Sequence, residues 1–294
     1  MITSRQYRYL TDFTTVYDFL IDIYERDWRN GVPAPFLEYA LSSTWMDKRY
    51  LHRNRLWFDD DQVAAFVFTE SEPFKIFFSL RPGYESLAEE MVSYAENHMI
   101  NQNGKQHFIL FKGQQALTDV VRNRGYQKTG GHIDLIYDFE QNGPLAFPLP
   151  SGYRFVKNAE LDQEKILRCL WKGFNHEEEE GPWDAGHMDD AYLLMTAPHY
   201  TPQYPAVIEE EKTGDYVCFA GMWWTPQNHL AYMEPLATVP EHRRKGLAAA
   251  ALSELYRRMK PLGATHMTGG AIKNWVPPPD CLDGMGKINS FCFY

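Results

Sequence analysis

The chain has 294 residues, of which 44% are hydrophobic and 15% aromatic, and its formal net charge is −10. The length exceeds what one compact domain usually needs, so we expect two folded domains, each with its own core. The negative charge argues against a nucleic-acid partner, because phosphate backbones attract basic surfaces.

No segment is apolar for long enough to span a bilayer, and the N-terminus lacks the apolar core of a signal peptide. We therefore expect a cytoplasmic protein without a membrane partner. The cysteines lie far apart with no C-x-x-C pair, which favours reduced thiols over a disulfide framework or a metal site: Cys169, Cys218, Cys281 and Cys292.

Helical and strand patterns alternate over residues 1–141, which predicts a first domain there. Apolar residues at helical spacing indicate a helix from Val16 to Tyr24 and a second that includes Phe36 to Leu41. Strands are predicted at 56–58, 63–68, 75–80, 108–111 and 133–139, with helices around 91–99 and 117–121. The aspartates at 59–61 favour a hairpin turn over a calcium loop, which would need a following glycine and a later glutamate.

Residues 142–152 are rich in proline and glycine, which cannot continue a helix or a central strand, so we predict a linker there. The second domain, 153–294, then begins with a strand at Tyr153–Val156 and a helix from Ile166 to Phe174.

An acidic segment follows at 175–184, before a helix from about Met188 to Thr196. The favoured interpretation of the acids is a solvated loop, and the alternative is a surface that attracts a cationic amine. A metal site with His176 and His187 is disfavoured, because the spacing matches no known ligand pattern.

The next stretch predicts an anion site. Strands at Ala206–Glu210, Tyr216–Thr225 and Leu230–Thr238 form an antiparallel meander, and a basic loop at 243–245 separates it from an alanine-rich helix that runs from Gly246 to Met259. Such a strand, loop and helix start gathers backbone N–H groups, a helix N-terminus and three cations around one point.

The run Arg243-Arg244-Lys245-Gly246-Leu247-Ala248 fits the pattern Q/R-x-x-G-x-G/A. With the preceding Val239-Pro240 it resembles the acyl-CoA-binding motif of the GNAT N-acetyltransferases. The resemblance implies an α+β fold of two tandem GNAT-like domains, each a mixed, mostly antiparallel sheet flanked by helices. The loop at 81–84 lacks the motif, so the first domain is expected to be degenerate and not to bind the cofactor.

The same resemblance implies acetyl-CoA as the acyl donor. Its pantetheine arm would lie against the backbone of Ala237, Thr238 and Val239. Its diphosphate would lie at the loop and the helix start, which comprise Arg243, Arg244, Lys245, Gly246, Leu247, Ala248 and Ala249.

Glu234 lies where several GNAT relatives place a carboxylate that acts as a base or anchors a water chain. A structural hydrogen-bond role is an equal alternative, and a buried strand position would raise its pKa. No catalytic acid is assigned, because Pro277-Pro278-Pro279 forbids the expected helix and Tyr294 is the terminal residue. The tail is interpreted either as a divergent end with a final strand at 284–294 or as an altered reading-frame end.

The expected function is an acetyl-CoA-dependent N-acetyltransferase that acts on a primary amine of a small molecule. The main alternative is a non-catalytic acyl-CoA-binding sensor or pseudo-enzyme. Aminoacyl transfer from tRNA is a third hypothesis, which the net charge disfavours. The acceptor and the oligomeric state are left open, with a homodimer among the options.

Overall fold

The structure is a computed structural model that describes residues 1–70, 75–100, 104, 106–131, 133–269 and 286–293. Its internal contacts divide the chain into two units. Unit 1 comprises Met1–Asp134 and Lys287–Tyr294, and unit 2 comprises Leu135–Gly286. Among the described residues, no helix combines the length and the apolar composition that crossing a membrane requires.

Unit 1 is built from five strands and four helices in its first 134 residues, counted over the described part of the chain. They are β1 (Ile2–Gln6), α1 (Phe13–Asp22), α2 (Ala34–Leu41), β2 (Arg55–Asp59), β3 (Gln62–Thr69), β4 (Lys75–Leu80), α3 (Ala88–His98), β5 (His107–Phe111) and α4 (Gln115–Asn123). The strands pair in the order β1-β2-β3-β4-β5, antiparallel except for the parallel pair β4–β5. The predicted elements are present, and β1 is an additional strand that its mostly polar sequence did not indicate.

Helices cover both faces of this sheet, because successive side chains of a strand point to opposite sides. One face carries Val67 of β3 and packs with Met91 of α3 and Val121 of α4 in one buried cluster. The other face carries Phe77, whose ring lies 5.2 Å from that of Phe36 in α2. Asp59 pairs with Gln62 across the β2–β3 hairpin, which confirms the predicted turn.

Unit 2 contains two sheets and four helices within its described residues. Its elements are β6 (Ile133–Asp138), β7 (Tyr153–Phe155), α5 (Gln163–Gly173), α6 (His176–Glu180), α7 (Met188–Met195), β8 (Ala206–Glu210), β9 (Tyr216–Ala220), β10 (Trp223–Thr225), β11 (Leu230–Met233), β12 (Leu236–Thr238), α8 (Leu247–Met259) and β13 (His266–Gly269). One sheet has the order β6-β13-β11-β10 and the other β12-β9-β8-β7.

The core of unit 2 explains why α8 is long and rich in small residues. Its buried side chains, among them Leu247, Ala251 and Leu255, pack with Ile208 and Val217 of β8 and β9 in one cluster. A second cluster forms around Ile166 and Cys169 of α5. The predicted helix after Gly246 is confirmed in position.

The units divide differently from the predicted domains, whose boundaries were 1–141 and 153–294. Four of the six residues of β6 fall in unit 2, where Ile136 to Asp138 pair antiparallel with β13. The predicted linker also packs on unit 2: the Phe147 N–H donates to Ser253 Oγ at 2.9 Å, and Leu145 and Leu149 contact the α8 cluster. Backbone pairing therefore extends unit 2 toward the N-terminus beyond what turn-forming residues indicated.

The end of the chain contributes a strand to unit 1. This strand, β14 (Gly286–Phe293), pairs antiparallel with β5, with Phe291 opposite Phe111. A final strand was one of the two predicted explanations of the tail. The positions discussed for the catalytic acid, the prolines at 277–279 and Tyr294, lie outside the described residues.

Candidate functional site

Two opposed interruptions divide the long predicted strands of the meander. Gly221 and Met222 separate β9 from β10, and Glu234 and Pro235 separate β11 from β12. The Glu234–Pro235 peptide bond is cis, and the Gly221 N–H donates to Pro235 O at 2.7 Å. A Cβ atom on Gly221 would lie 2.2 Å from Glu234 O, so only glycine fits this close approach.

Because of these interruptions, β11 and β12 belong to different sheets, and the place at Glu234 and Pro235 where the two strands diverge is called the wedge. Before them, β11 pairs in parallel with β13 as far as Met233 and Gly269, where a Cβ on Gly269 would lie 2.0 Å from Met233 O. After them, β12 pairs with β9 in the other sheet. Among the described strands β12 has no second neighbour, so one edge of it is unpaired.

The register shows which backbone groups this edge presents. Pro235 O and the Val239 N–H bond toward β9, and Ala237 pairs with Phe219 between them. Because alternate residues of an antiparallel strand point their N–H and C=O groups to opposite edges, Leu236 and Thr238 direct theirs to the unpaired edge. The sequence selected Ala237, Thr238 and Val239 for this role, whereas the structure directs the backbone groups of Leu236 and Thr238 to this edge, where Thr238 O accepts from Arg243 Nε.

The chain continues directly from this edge into the start of α8. Gly246 caps the helix with φ +83°, a left-handed conformation that glycine adopts without strain, and Arg244 has φ 61°. The Ala250 N–H donates to Gly246 O, so the N–H groups of Leu247, Ala248 and Ala249 precede the first intrahelical donor. No side chain caps this terminus. This geometry, with N–H groups ahead of the first helical bond, is the one that the predicted anion site requires.

The three cations of the loop have different roles in the structure. Arg243 turns away from the helix start and donates from Nε to Thr238 O at 3.0 Å. Lys245 Nζ donates to the Tyr153 hydroxyl at 3.2 Å, and this hydroxyl lies 2.9 Å from His242 Nδ1. The exposed side chain of Arg244 has no ion pair or hydrogen bond to any residue that the structure describes. Arg244 and Lys245 therefore remain as candidate phosphate contacts, and Arg243 does not fit that prediction.

Glu234 lies outside both strands, at the interruption itself. Glu234 is half-buried, and its main-chain O accepts a hydrogen bond from Trp223 Nε1 at 3.2 Å. The alternation that would place its side chain on one face with Leu236 and Thr238 does not apply across a break in the strand. The expected buried strand position is therefore wrong, although Glu234 does lie where the wedge opens.

The acidic segment forms the short helix α6 followed by a loop, rather than a loop throughout. His176 and Glu180 pair at 2.6 Å across it, and the His176 and His187 rings lie 4.8 and 4.3 Å from the ring of Trp171. Among the described residues, no group of three or more His, Cys, Asp or Glu side chains is placed to hold a metal ion.

Two buried thiols lie near this site but do not fit a nucleophilic role. Burial raises the pKa of Cys218 to about 12 and that of Cys169 well above its usual value. The Thr238 hydroxyl donates to Cys218 Sγ at 3.4 Å. At neutral pH both thiols are therefore protonated, and a protonated thiol is a much poorer nucleophile than a thiolate.

In unit 1 the corresponding loop, residues 81–84, already binds a nearby side chain, that of Glu85. Gly83 has φ +92° like Gly246, but its N–H donates to Glu85 Oε1 at 3.0 Å. Beside β5 the end of β4 is also filled: the Leu80 N–H donates to Asn30 O at 2.7 Å, and Phe78 O accepts from Gln114 Nε2 at 2.7 Å. These contacts replace the ones that a diphosphate and a pantetheine arm would make.

Sequence reasoning missed three residues of this site: Tyr153, Gly173 and Asn175. They contact the basic loop at residues 243–245, from here on called the cofactor loop, although they lie 68 to 92 positions away in the sequence. No local pattern marks them.

Comparisons with known proteins support the resemblance. Residues 164–273 match the model of the acetyltransferase (GNAT) family. The search of curated proteins found no matching sequence.

Solved structures resemble the chain over its whole length. A GCN5-related N-acetyltransferase from Sphaerobacter thermophilus is 14% identical with a TM-score of 0.61, covering 99% of this chain and 94% of that one. A tandem GNAT protein from the clavulanic acid biosynthesis pathway is 11% identical with a TM-score of 0.61, covering 100% and 97%. A GNAT-family acetyltransferase from Colwellia psychrerythraea is 11% identical with a TM-score of 0.58, covering 99% and 98%. The chain therefore has the tandem GNAT fold, and a stretch of its second unit, residues 164–273, is similar to the acetyltransferase (GNAT) family.

Proposed function

We propose that this protein is an acetyl-CoA-dependent N-acetyltransferase, in which unit 2 transfers the acetyl group to a primary amine of a small molecule. One observation carries the proposal. The edge of β12 that no described strand pairs with is joined by a short loop, which ends in a left-handed glycine, to the uncapped N-terminus of α8. An extended, amide-bearing chain can bind along the edge of β12, and a diphosphate can bind at the start of α8. The two sites are adjacent on one stretch of backbone.

The parts of the cofactor follow from this geometry. The diphosphate accepts hydrogen bonds from the N–H groups of Leu247, Ala248 and Ala249, with Arg244 and Lys245 supplying positive charge. The amides of the pantetheine arm bond to the N–H and C=O groups of Leu236 and to the Thr238 N–H as an added strand would, because Thr238 O already accepts from Arg243. The thioester then lies toward Glu234, where the wedge between β11 and β12 begins.

The transfer itself requires mainly positioning. The neutral amine attacks the thioester carbon, the C–S bond breaks, and the sulfur leaves as a thiolate that takes up a proton. Before attack the amine must lose its own proton, and Glu234 accepts it directly or through water. Donors directed at the carbonyl oxygen stabilise the negative charge that develops on it.

The test is release of free thiol from acetyl-CoA in the presence of a panel of small primary amines. We expect amine-dependent thiol release, with the acetylated amine detected by mass spectrometry. Tight CoA binding without turnover on any amine would favour the alternative, a non-catalytic acyl-CoA sensor. A cytoplasmic location belongs to the same proposal and is supported by the free thiols of Cys169 and Cys218.

We expect one CoA per chain, because the loop at 81–84, which corresponds in unit 1 to the loop before α8, is already occupied by Glu85. Glu85 already accepts from the Gly83 N–H, and its carboxylate, followed by Glu89 and Glu90, would repel phosphate. Titration calorimetry of the full chain should give a stoichiometry of one. A Glu85→Gln variant should give the same value, because the backbone of β4 remains bonded to Asn30 and Gln114. Two equivalent sites in the wild-type protein would contradict the degenerate interpretation of unit 1.

A further inference from the structure

Arg243 is placed to connect two segments that the sequence treats as separate. Its Nε donates to Thr238 O at 3.0 Å, while Nη2 donates to Gly173 O at 2.9 Å and to Asn175 Oδ1 at 2.7 Å. One guanidinium thus holds the end of β12, the last residue of α5 and the residue before α6. We propose that Arg243 is a positioning residue that braces the α5–α6 junction against the cofactor loop, so that diphosphate binding orders the acidic helix α6. The proposal rests on the proposed function for its ligand.

The junction is built for close contact with β12. A Cβ atom on Gly173 would lie 2.7 Å from Ala237 Cβ and 3.3 Å from Thr238 N, so a larger residue would push α5 away from the strand. Asn175 has φ 66° and ψ 22°, and in this left-handed conformation it turns the chain from α5 into α6. The junction therefore has a defined geometry, and Arg243 supplies side-chain hydrogen bonds that join it to the cofactor loop.

This role differs from that of a phosphate ligand. The planar guanidinium has five N–H donors in a fixed fork, and the three hydrogen bonds above orient it toward protein oxygens rather than toward the start of α8. Arg244, the next residue, has its exposed side chain without a partner among the described residues. The two arginines should therefore respond differently when they are replaced.

The consequence concerns the acceptor. The segment after Asn175 carries Glu177 to Glu180, the acids that the sequence offered as an attraction for a cationic amine. When a diphosphate fixes the loop at residues 244–249, Arg243 is fixed with it. The junction and α6 then have fewer alternative positions, and the acids are held in one arrangement.

The first experiment needs no cofactor. Hydrogen–deuterium exchange of backbone N–H groups is followed in peptides that cover residues 174–181, for the wild type, Arg243→Ala and Arg244→Ala. We expect exchange about tenfold faster in Arg243→Ala, because hydrogen bonds from a charged donor are lost. Arg244→Ala should match the wild type. Equal exchange in all three proteins would overturn the brace, whether or not the protein binds CoA.

The second experiment tests the coupling. Saturating CoA should slow exchange of residues 174–181 in the wild type and leave it nearly unchanged in Arg243→Ala. The affinity for CoA should fall about tenfold in Arg244→Ala and become less sensitive to salt, because a phosphate contact is removed. Arg243→Ala should keep the salt dependence of the wild type. If both variants lose the same salt dependence, Arg243 is a phosphate ligand and the proposal is wrong.

The third experiment separates a positioning role from general damage. Asn175→Gly keeps the left-handed conformation and removes one of the three acceptors of Arg243, the side-chain Oδ1. With an accepted amine, it should raise the KM for that amine about threefold or more, while the Kd for CoA should rise by no more than the factor by which CoA slows exchange of residues 174–181 in the wild type, because the coupling is reciprocal. The double variant with Arg243→Ala should be no worse than Arg243→Ala alone, because both break the same contact. Additive effects would contradict the coupling, and lack of CoA binding by the wild type would instead reject the proposed function.

Discussion

Replacing Gly246 by aspartate should lower the affinity for CoA by more than a hundredfold. The residue caps α8 with φ +83°, beside the N–H groups proposed to bind the diphosphate. A negative charge about 4 Å from a phosphate costs on the order of 4 kcal/mol at the effective dielectric of a protein surface. About 2.8 kcal/mol of this cost would already correspond to a hundredfold loss of affinity for CoA.

The matched control is Gly246→Asn, which has nearly the same shape, tolerates a left-handed conformation and carries no charge. No described atom lies within 4 Å of a Cβ placed at Gly246, so both variants should fold. Calorimetry should show a moderate loss of affinity for the asparagine variant and nearly complete loss for the aspartate variant. Unchanged affinity in a folded Gly246→Asp protein would move the diphosphate site elsewhere.

Replacing Glu234 by glutamine should lower kcat by roughly a hundredfold, the usual size of a general-base contribution. The residue is half-buried where β11 and β12 separate, which is where the thioester is proposed to lie. Glutamine keeps the shape but cannot accept a proton. The Kd for CoA should therefore stay the same, and the loss should appear in kcat.

The deficit should depend on pH in a defined direction. An alkyl amine has a pKa near 10, so below that value each rise of one pH unit increases the neutral fraction about tenfold. The need for a base falls accordingly, and the difference between wild type and variant should shrink as pH rises. The control is Glu211→Gln, an exposed carboxylate beyond β8, which should retain wild-type rates. A Glu234→Gln enzyme with ordinary rates at neutral pH would leave Glu234 with a structural role only.

The cofactor loop was predictable because its signals are local. A glycine that needs a positive φ, a helix that needs small residues at its start and a strand that ends at Val239-Pro240 follow one another in the chain. The same holds for the hairpin at Asp59 to Gln62 and for the buried face of α8. Each depends on neighbours within a few residues, and a single sequence contains that information.

Local patterns did not predict the interruptions of the meander. The run Tyr216–Thr225 has the composition of one strand, and only the approach of Gly221 to Glu234 O shows why it breaks. Both strands break opposite each other, so the cause is a pairing between segments. For this reason the alternation of side chains along a single strand does not give the orientation of Glu234.

The sequence by itself was enough to predict the fold and to place a candidate anion site at the start of an alanine-rich helix. Only the tertiary structure decided what the three cations do, because the partners of Arg243 lie 68 and 70 residues away at Asn175 and Gly173. The tertiary structure also decided that β6 belongs with unit 2 and β14 with unit 1. A side chain or a strand edge is satisfied by whichever group folding brings near it, and composition and spacing along the chain do not record that group.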